Sequence, residues 1–131
     1  MKYSEIEYYG TGLAMLMQAK LKLPGIQKLE LIKLRKQLEE ASASVNEARL
    51  QLCNEYAEED ENGQPKMVDH NYVIKKDLMV EFNVQLRQLY NNEIALDIKK
   101  TKVSIPDNTN LESQAIETLL LIADSEDIFQ K

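Results

Sequence analysis

A chain of 131 residues that is 44% apolar has the length of one domain and enough material for a real core, which excludes a purely disordered tail. Tryptophan is absent and aromatics make up only 6%, so Leu, Ile, Val, Met and Ala must form the core, a composition suited to helix packing and a mainly α fold. The formal charge of −6 argues against a dedicated nucleic-acid binder, because neutralising phosphates requires a net basic face.

Ser4 followed by Glu7 has the pattern of a capping box, so a first helix is expected there, with Ile6, Tyr9, Leu13, Leu16 and Met17 on one side and an end before Pro24. Gly10 and Gly12 weaken that helix or let it approach another backbone closely. Pro24 fits a turn or the first position of the next helix, where a missing N–H costs nothing. From Gly25 to about Ala57 no further proline or glycine intervenes, which predicts a rod on the order of 50 Å long. Within it Leu31, Leu34, Leu38, Ala41, Val45, Ala48 and Leu52 recur at alternating steps of three and four, the period of a coiled-coil seam that needs a partner helix. Lys33, Arg35, Glu39, Glu40, Glu47 and Arg49 lie between them and are expected in water. Lys20, Lys22, Lys28, Lys33, Arg35 and Lys36 gather near the start of the rod, and Glu55, Glu58, Glu59, Asp60 and Glu61 gather at its end. Such runs are usually solvated faces; the sharper reading is antiparallel association, the basic end of one copy meeting the acidic end of another.

Glu61-Asn62-Gly63-Gln64 breaks the rod, since Asn-Gly readily takes up the positive φ of a tight turn. Lys66-Met67-Val68 and Tyr72-Val73-Ile74 then flank Asp69-His70-Asn71 as a short β-hairpin. A second helix is expected from Lys76 to Asn91 with Met79, Phe82, Leu86, Leu89 and Tyr90 on its apolar stripe. Two short helices against the long one would cover the whole seam. Ile94, Leu96 and Ile98 alternate with polar residues, the period of a half-buried strand that Val103 and Ile105 continue or pair with. After a turn at Pro106-Asp107-Asn108, Thr109 and Glu112 form a second capping-box pattern. It would open a final helix bearing Ile116, Leu119, Leu120, Ile122 and Ala123. Ile128 and Phe129, beyond an acidic tail, either dock or meet a partner.

Residues able to carry chemistry are few. Glu58-x-Asp60-x-Asn62-Gly63 imitates half of a calcium loop, but Asp69 stands where a bidentate glutamate belongs and Pro65 interrupts, so it reads as an acidic turn. His70, the single histidine, sits at the hairpin tip without a nucleophile or orienting carboxylate at a useful spacing. Cys53 is the single cysteine, reads as packing, and fits a reducing compartment. Tyr3, Tyr8 and Tyr9 suit either interface or core. No apolar run reaches the roughly 18 residues that span a bilayer, and Glu5 and Glu7 replace the basic-then-apolar order of a signal peptide. The expected location is therefore cytoplasmic.

Leu23-Pro24 before the rod, Asn54-Glu55-Tyr56-Ala57-Glu58-Glu59-Asp60-Glu61-Asn62-Gly63 at its end, the hairpin, the second helix, Asn92-Glu93-Ile94-Ala95-Leu96-Asp97-Ile98 and a leucine-rich closing helix carry a resemblance. In this order the chain is similar to a family of small proteins of unknown function from phages and prophages of Gram-positive bacteria, with Ala57 where that family's glycine is expected. The resemblance implies a phage or prophage origin, a host-cytoplasmic or virion-associated location, and no catalytic residues. The element order is also similar, at fold level alone, to prefoldin-type chaperones.

The expected fold is mainly α: a long helix paired antiparallel with shorter helices plus a small β-hairpin or sheet, a helix-hairpin-helix of coiled-coil character. One domain covers 1–131, divided into an N-terminal helix (1–23), the helix-hairpin-helix core (24–92) and a strand with C-terminal helix (93–131). The expected function is non-enzymatic and self-associating, in virion assembly or as an accessory factor. Its interface residues would be Leu31, Leu34, Leu38, Ala41, Val45, Ala48, Leu52, Phe82, Leu86 and Leu89, with no catalytic, cofactor or metal site and neither nucleic acid nor membrane as a partner. The alternatives are a binder or inhibitor of a host protein acting through an acidic surface, and a holdase gripping clients with Met67, Val68, Tyr72 and Val73.

Overall fold

The computed structural model describes residues 1–106 and 109–130. Among the described residues four helices, α1 (Tyr3–Ala19), α2 (Gly25–Tyr56), α3 (Met79–Asn91) and α4 (Ser113–Leu120), make the fold mainly helical. Short strands β1 (Met67–Val68) and β2 (Asn71–Tyr72) form a small antiparallel sheet, and β3 (Ile105–Pro106) pairs in parallel with β4 (Phe129–Gln130).

Helix α1 starts earlier than its sequence signal. The Met1 ammonium donates to the Glu93 carboxylate at 2.7 Å and to the Ile94 carbonyl at 2.8 Å, and the Ile94 N–H returns a bond to the Met1 carbonyl. With its first residue held, the chain turns helical at Tyr3, and the Lys2 N–H is taken by the Glu5 carboxylate at 3.1 Å in place of the expected Ser4–Glu7 box. Lys20 ends the helix in the left-handed region at φ 52°. Of the two glycines, Gly12 is the one that serves close approach. A Cβ there would lie 1.9 Å from Thr118 Oγ1 and 2.7 Å from the Gln114 carbonyl, whereas Gly10 faces open space.

Helix α2 runs unbroken for 32 residues, about 48 Å at 1.5 Å per residue. Its first half passes through the main core, which joins Ile6, Leu13 and Leu16 of α1, Leu34 and Leu38 of α2, Leu119 of α4, Val103, Ile105 and Ile128 from the C-terminal segments, and Ile122, which with Ala123 lies past the end of α4 and not within the final helix as expected. Ile128 is thus docked and buried. Its second half carries a thinner arm, where Tyr56 meets Phe82 of α3 with ring centroids 5.9 Å apart and Val45 and Cys53 are buried.

The arm's tip is a hydrogen-bonded meander. Asp69 and His70, both at positive φ, form a two-residue turn that pairs Val68 with Asn71 and Met67 with Tyr72. Behind it, bridges Ala57 to Ile74 and Glu59 to Pro65 tie the hairpin to the chain leaving α2. Gly63 takes the expected positive φ, 75°, and the Asp60 carboxylate accepts N–H bonds from Asn62 and Gln64 at 2.8 and 3.0 Å. Lys76–Leu78, expected as the first turn of α3, is a 3₁₀ turn leading into it.

Two further expectations are corrected. Residues 92–100 are extended and half-bury Ile94, Leu96 and Ile98 as the period predicts, yet form no strand. Side chains of α2 meet this backbone instead. Gln37 Nε2 donates to the Asp97 carbonyl at 2.7 Å and the Asp97 N–H donates back to Gln37 Oε1 at 2.6 Å; Glu30 accepts the Lys99 N–H, and Gln27 donates to the Lys102 carbonyl. An alternating pattern reports which residues face a core, not which group satisfies the peptide bonds. Ile105 consequently belongs to a different pairing, its N–H donating to the Ile128 carbonyl at 2.8 Å, and Val103 is buried in the core. Second, α4 begins at Ser113 with Glu112 at the cap, so no Thr109–Glu112 box forms; the Thr109 N–H is used by the Pro106 carbonyl at 3.0 Å. The expected turn through Asp107 and Asn108 falls on residues outside those described.

Candidate interaction surface

The seam expected from periodicity lies inside the chain. Leu34, Leu38 and Val45 are buried, while Leu31, Ala41, Ala48 and Leu52 are half-buried. On α3, Phe82 is buried and Leu86 and Leu89 are half-buried. Leu89 shares a depression with Ala41 and Val45, and Leu31 shares one with Leu13 and Leu16. Successive stretches of the stripe are therefore met by α3 and by α1. Among the charges set between the seam positions, Lys33, Glu39, Glu40 and Glu47 are exposed, and Arg35 and Arg49 are half-covered with contacts at the surface, Arg35 3.9 Å from Glu39 and Arg49 donating to Asn46.

Large apolar side chains are exposed elsewhere, in two groups. The first surrounds the start of α2: Ile26 is 67% exposed, Met17 62%, and Leu29 and Ile32 complete it. Ile26, Leu29 and Ile32 recur at steps of three, on the turns whose other face carries buried Gln27, Glu30 and Leu34. Beside them a groove of about 250 Å³ is floored by Leu13, Leu16 and Leu31 and rimmed by Lys20, Lys28 and Arg35. The second group is at the arm's tip, where Val80 is 78% exposed and Met67, Val68, Met79 and Val84 accompany it. Tyr72 and Val73, expected to be exposed there, are half-buried, because the hairpin folds back on the chain leaving α2.

The two groups carry opposite charge. Residues 17–36 hold six cations and one carboxylate, net +5, and that carboxylate, Glu30, is buried against Lys33 and the Lys99 N–H. Residues 55–81 hold eight carboxylates and three lysines, net −5. With a screening length of about 8–10 Å at ordinary salt, ends separated by most of α2 act as independent charges.

Of the front tyrosines, Tyr3 and Tyr9 are half-buried and Tyr8 is exposed. Tyr3 stacks on Tyr90 at 5.2 Å, Tyr8 meets the edge of Tyr9 at 5.4 Å, and the Tyr8 hydroxyl donates to the Glu117 carboxylate. A glutamate at the hydroxyl, Glu7 for Tyr3 and Glu117 for Tyr8, holds those phenols above their ordinary range, and burial does the same for Tyr9 and Tyr56. His70 is exposed on its turn, and Cys53 is buried in the arm. Among the described residues no group of three or more His, Cys, Asp or Glu side chains could hold a metal ion, and no helix is long and apolar enough to cross a membrane.

Periodicity found the seam because a buried stripe must repeat at three and four. It passed over Ile26, Leu29 and Ile32, whose steps of three were the available signal, and Val80 and Val84, an i, i+4 pair off the expected face of α3. Comparison with protein-family models, with curated proteins and with solved structures gives no match.

Proposed function

We propose that this chain is a non-enzymatic helical interaction protein of phage or prophage type, which associates with copies of itself in the host cytoplasm during virion assembly or as an accessory factor. In this reading α2 is a spine paired antiparallel by α1 over its first half and by α3 over its second, and the hairpin joins spine and α3 into a helix-hairpin-helix arm of coiled-coil character. The observation that carries it is the pair of exposed apolar groups, Met17 with Ile26, Leu29 and Ile32 at one end and Met67, Val68, Met79, Val80 and Val84 at the other. Several large apolar side chains exposed near one another in sequence on a stiff element favour a protein contact, and a reactive pocket is not required for it to act. The acidic arm favours a second reading, a binder of a basic site on a host protein. Sedimentation equilibrium over a dilution series tests the first: a mass above the monomer's that falls on dilution is expected, and a strict monomer at high concentration refutes it.

A further inference from the structure

We propose that two copies associate antiparallel, the basic apolar end of each α2 receiving the acidic apolar arm tip of the other, which rests on the self-association reading and names its surface. Four features point the same way. The apolar groups at the two ends are both exposed, with Ile26, Leu29 and Ile32 at one and Met79, Val80 and Val84 at the other. Their charges are matched in size and opposite in sign, +5 against −5, in a chain whose overall charge of −6 would otherwise keep copies apart. A groove with an apolar floor already lies between α1 and α2 at the basic end, and its Lys20, Lys28 and Arg35 rim complements Asp77 and Glu81, which flank Val80. Finally, α2 is one uninterrupted helix, so both ends sit at a fixed separation and a two-fold axis near its middle brings the two contacts together at once. Exposed Ala43 and Ser44 lie near that middle, where small side chains permit close approach.

A parallel pair would set +5 on +5 and −5 on −5, and an arm-to-arm pair would oppose two acidic tips. Of these two-copy arrangements the antiparallel one pairs each apolar group with its opposite charge and closes both contacts within the dimer. Each protomer then contributes nine large exposed apolar side chains to the contact, a core suited to an interface of roughly 20–30 residues a side.

The test uses the full chain and charge exchange. K28E/K36E and D77K/E81K alter exposed positions, so circular dichroism should be unchanged. Each variant alone should dimerise at least about tenfold more weakly in sedimentation, and an equimolar mixture should recover affinity to within about threefold of the unaltered chain. Raising salt towards molar should weaken the unaltered dimer and leave the mixture equally salt-sensitive. Orientation is read by oxidation in a C53A background: I32C mixed with V80C should give the mixed disulfide in preference to either homodisulfide. A dimer indifferent to both charge reversals overturns this surface while leaving self-association standing, and an I32C homodisulfide as the main product overturns the orientation. A chain that never dimerises overturns both proposals.

Discussion

Substituting alanine at Gly10 and at Gly12 should change stability in opposite directions, although both glycines lie in α1 two residues apart. At Gly10 the new methyl enters open space, so only the backbone matters: the helix gains roughly 0.5–1 kcal/mol from the lost freedom of the unfolded chain. At Gly12 the same gain of about 1 kcal/mol is set against a Cβ 1.9 Å from Thr118 Oγ1 and 2.7 Å from the Gln114 carbonyl. The hydroxyl is not free to swing away, for Thr118 is fully buried and donates to that same carbonyl at 2.8 Å. Relieving the clash therefore moves α4 as a body, at about 1–3 kcal/mol for overpacking plus about 1 kcal/mol for a strained or lost hydrogen bond. The net expectation is a loss of roughly 1–3 kcal/mol for G12A and a gap between the two variants of about 2–4 kcal/mol. Urea unfolding followed by circular dichroism measures this directly, with the slope checked for constancy so that midpoint shifts report stability. G12A/T118A should regain part of the loss, because the nearer obstacle is gone and the carbonyl stays. A G12A chain as stable as G10A would refute the close packing of α1 on α4.

Gln37→Ala removes both bonds that hold the Asp97 peptide, and should cost about 1–2 kcal/mol while the Asp97 amide exchanges faster with solvent; unchanged exchange there would count against the helix side chain as the segment's partner. The Met1 ammonium holds the Glu93 carboxyl below the usual carboxylate range. Its contribution is present above the unfolded carboxyl's pKa and is lost as pH falls through the lower folded value. The stabilities of Glu93→Gln and the unaltered chain should then differ near neutrality and converge in acid, as denaturant unfolding at several pH values would record.

How much of this was legible in the residues depends on what each signal reports. The uninterrupted run from Gly25, the Asn62-Gly63 turn and a short antiparallel pair around Asp69 and His70 were readable, since proline, glycine and local turn geometry act within a few residues, although Asn71, expected in the turn, lies in β2, and Val73 and Ile74 fall outside it. Of the residues expected at an interface from the steps of three and four, Leu34, Leu38, Val45 and Phe82 are buried within the chain. What periodicity cannot state is whether the covering helix comes from the same chain. That was decided by α1 and α3, whose placement depends on long-range contacts such as Gly12 on Thr118 and Tyr56 on Phe82. The burial of Gln27 and Glu30 has no signal in the sequence, because it arises only where the Lys102 carbonyl and the Lys99 N–H, about 70 residues away, come to lie against them. The surface proposed for docking was least legible, as an exposed leucine or valine carries no mark of its own until its surroundings are known.

The division of burial along α2 has a mechanical corollary. Thirteen buried apolar side chains surround its first half, against Val45, Cys53, Ala57 and Phe82 along the arm, among the described residues. One continuous helix thus bridges a well-anchored end and a lightly anchored one. Under heat or denaturant the arm can detach, hairpin and α3 together, while the other end stays closed, so amide exchange should separate into two regimes along a single helix. Whatever grips the tip would then also act as a splint, making the distal turns of the rod as durable as the proximal ones.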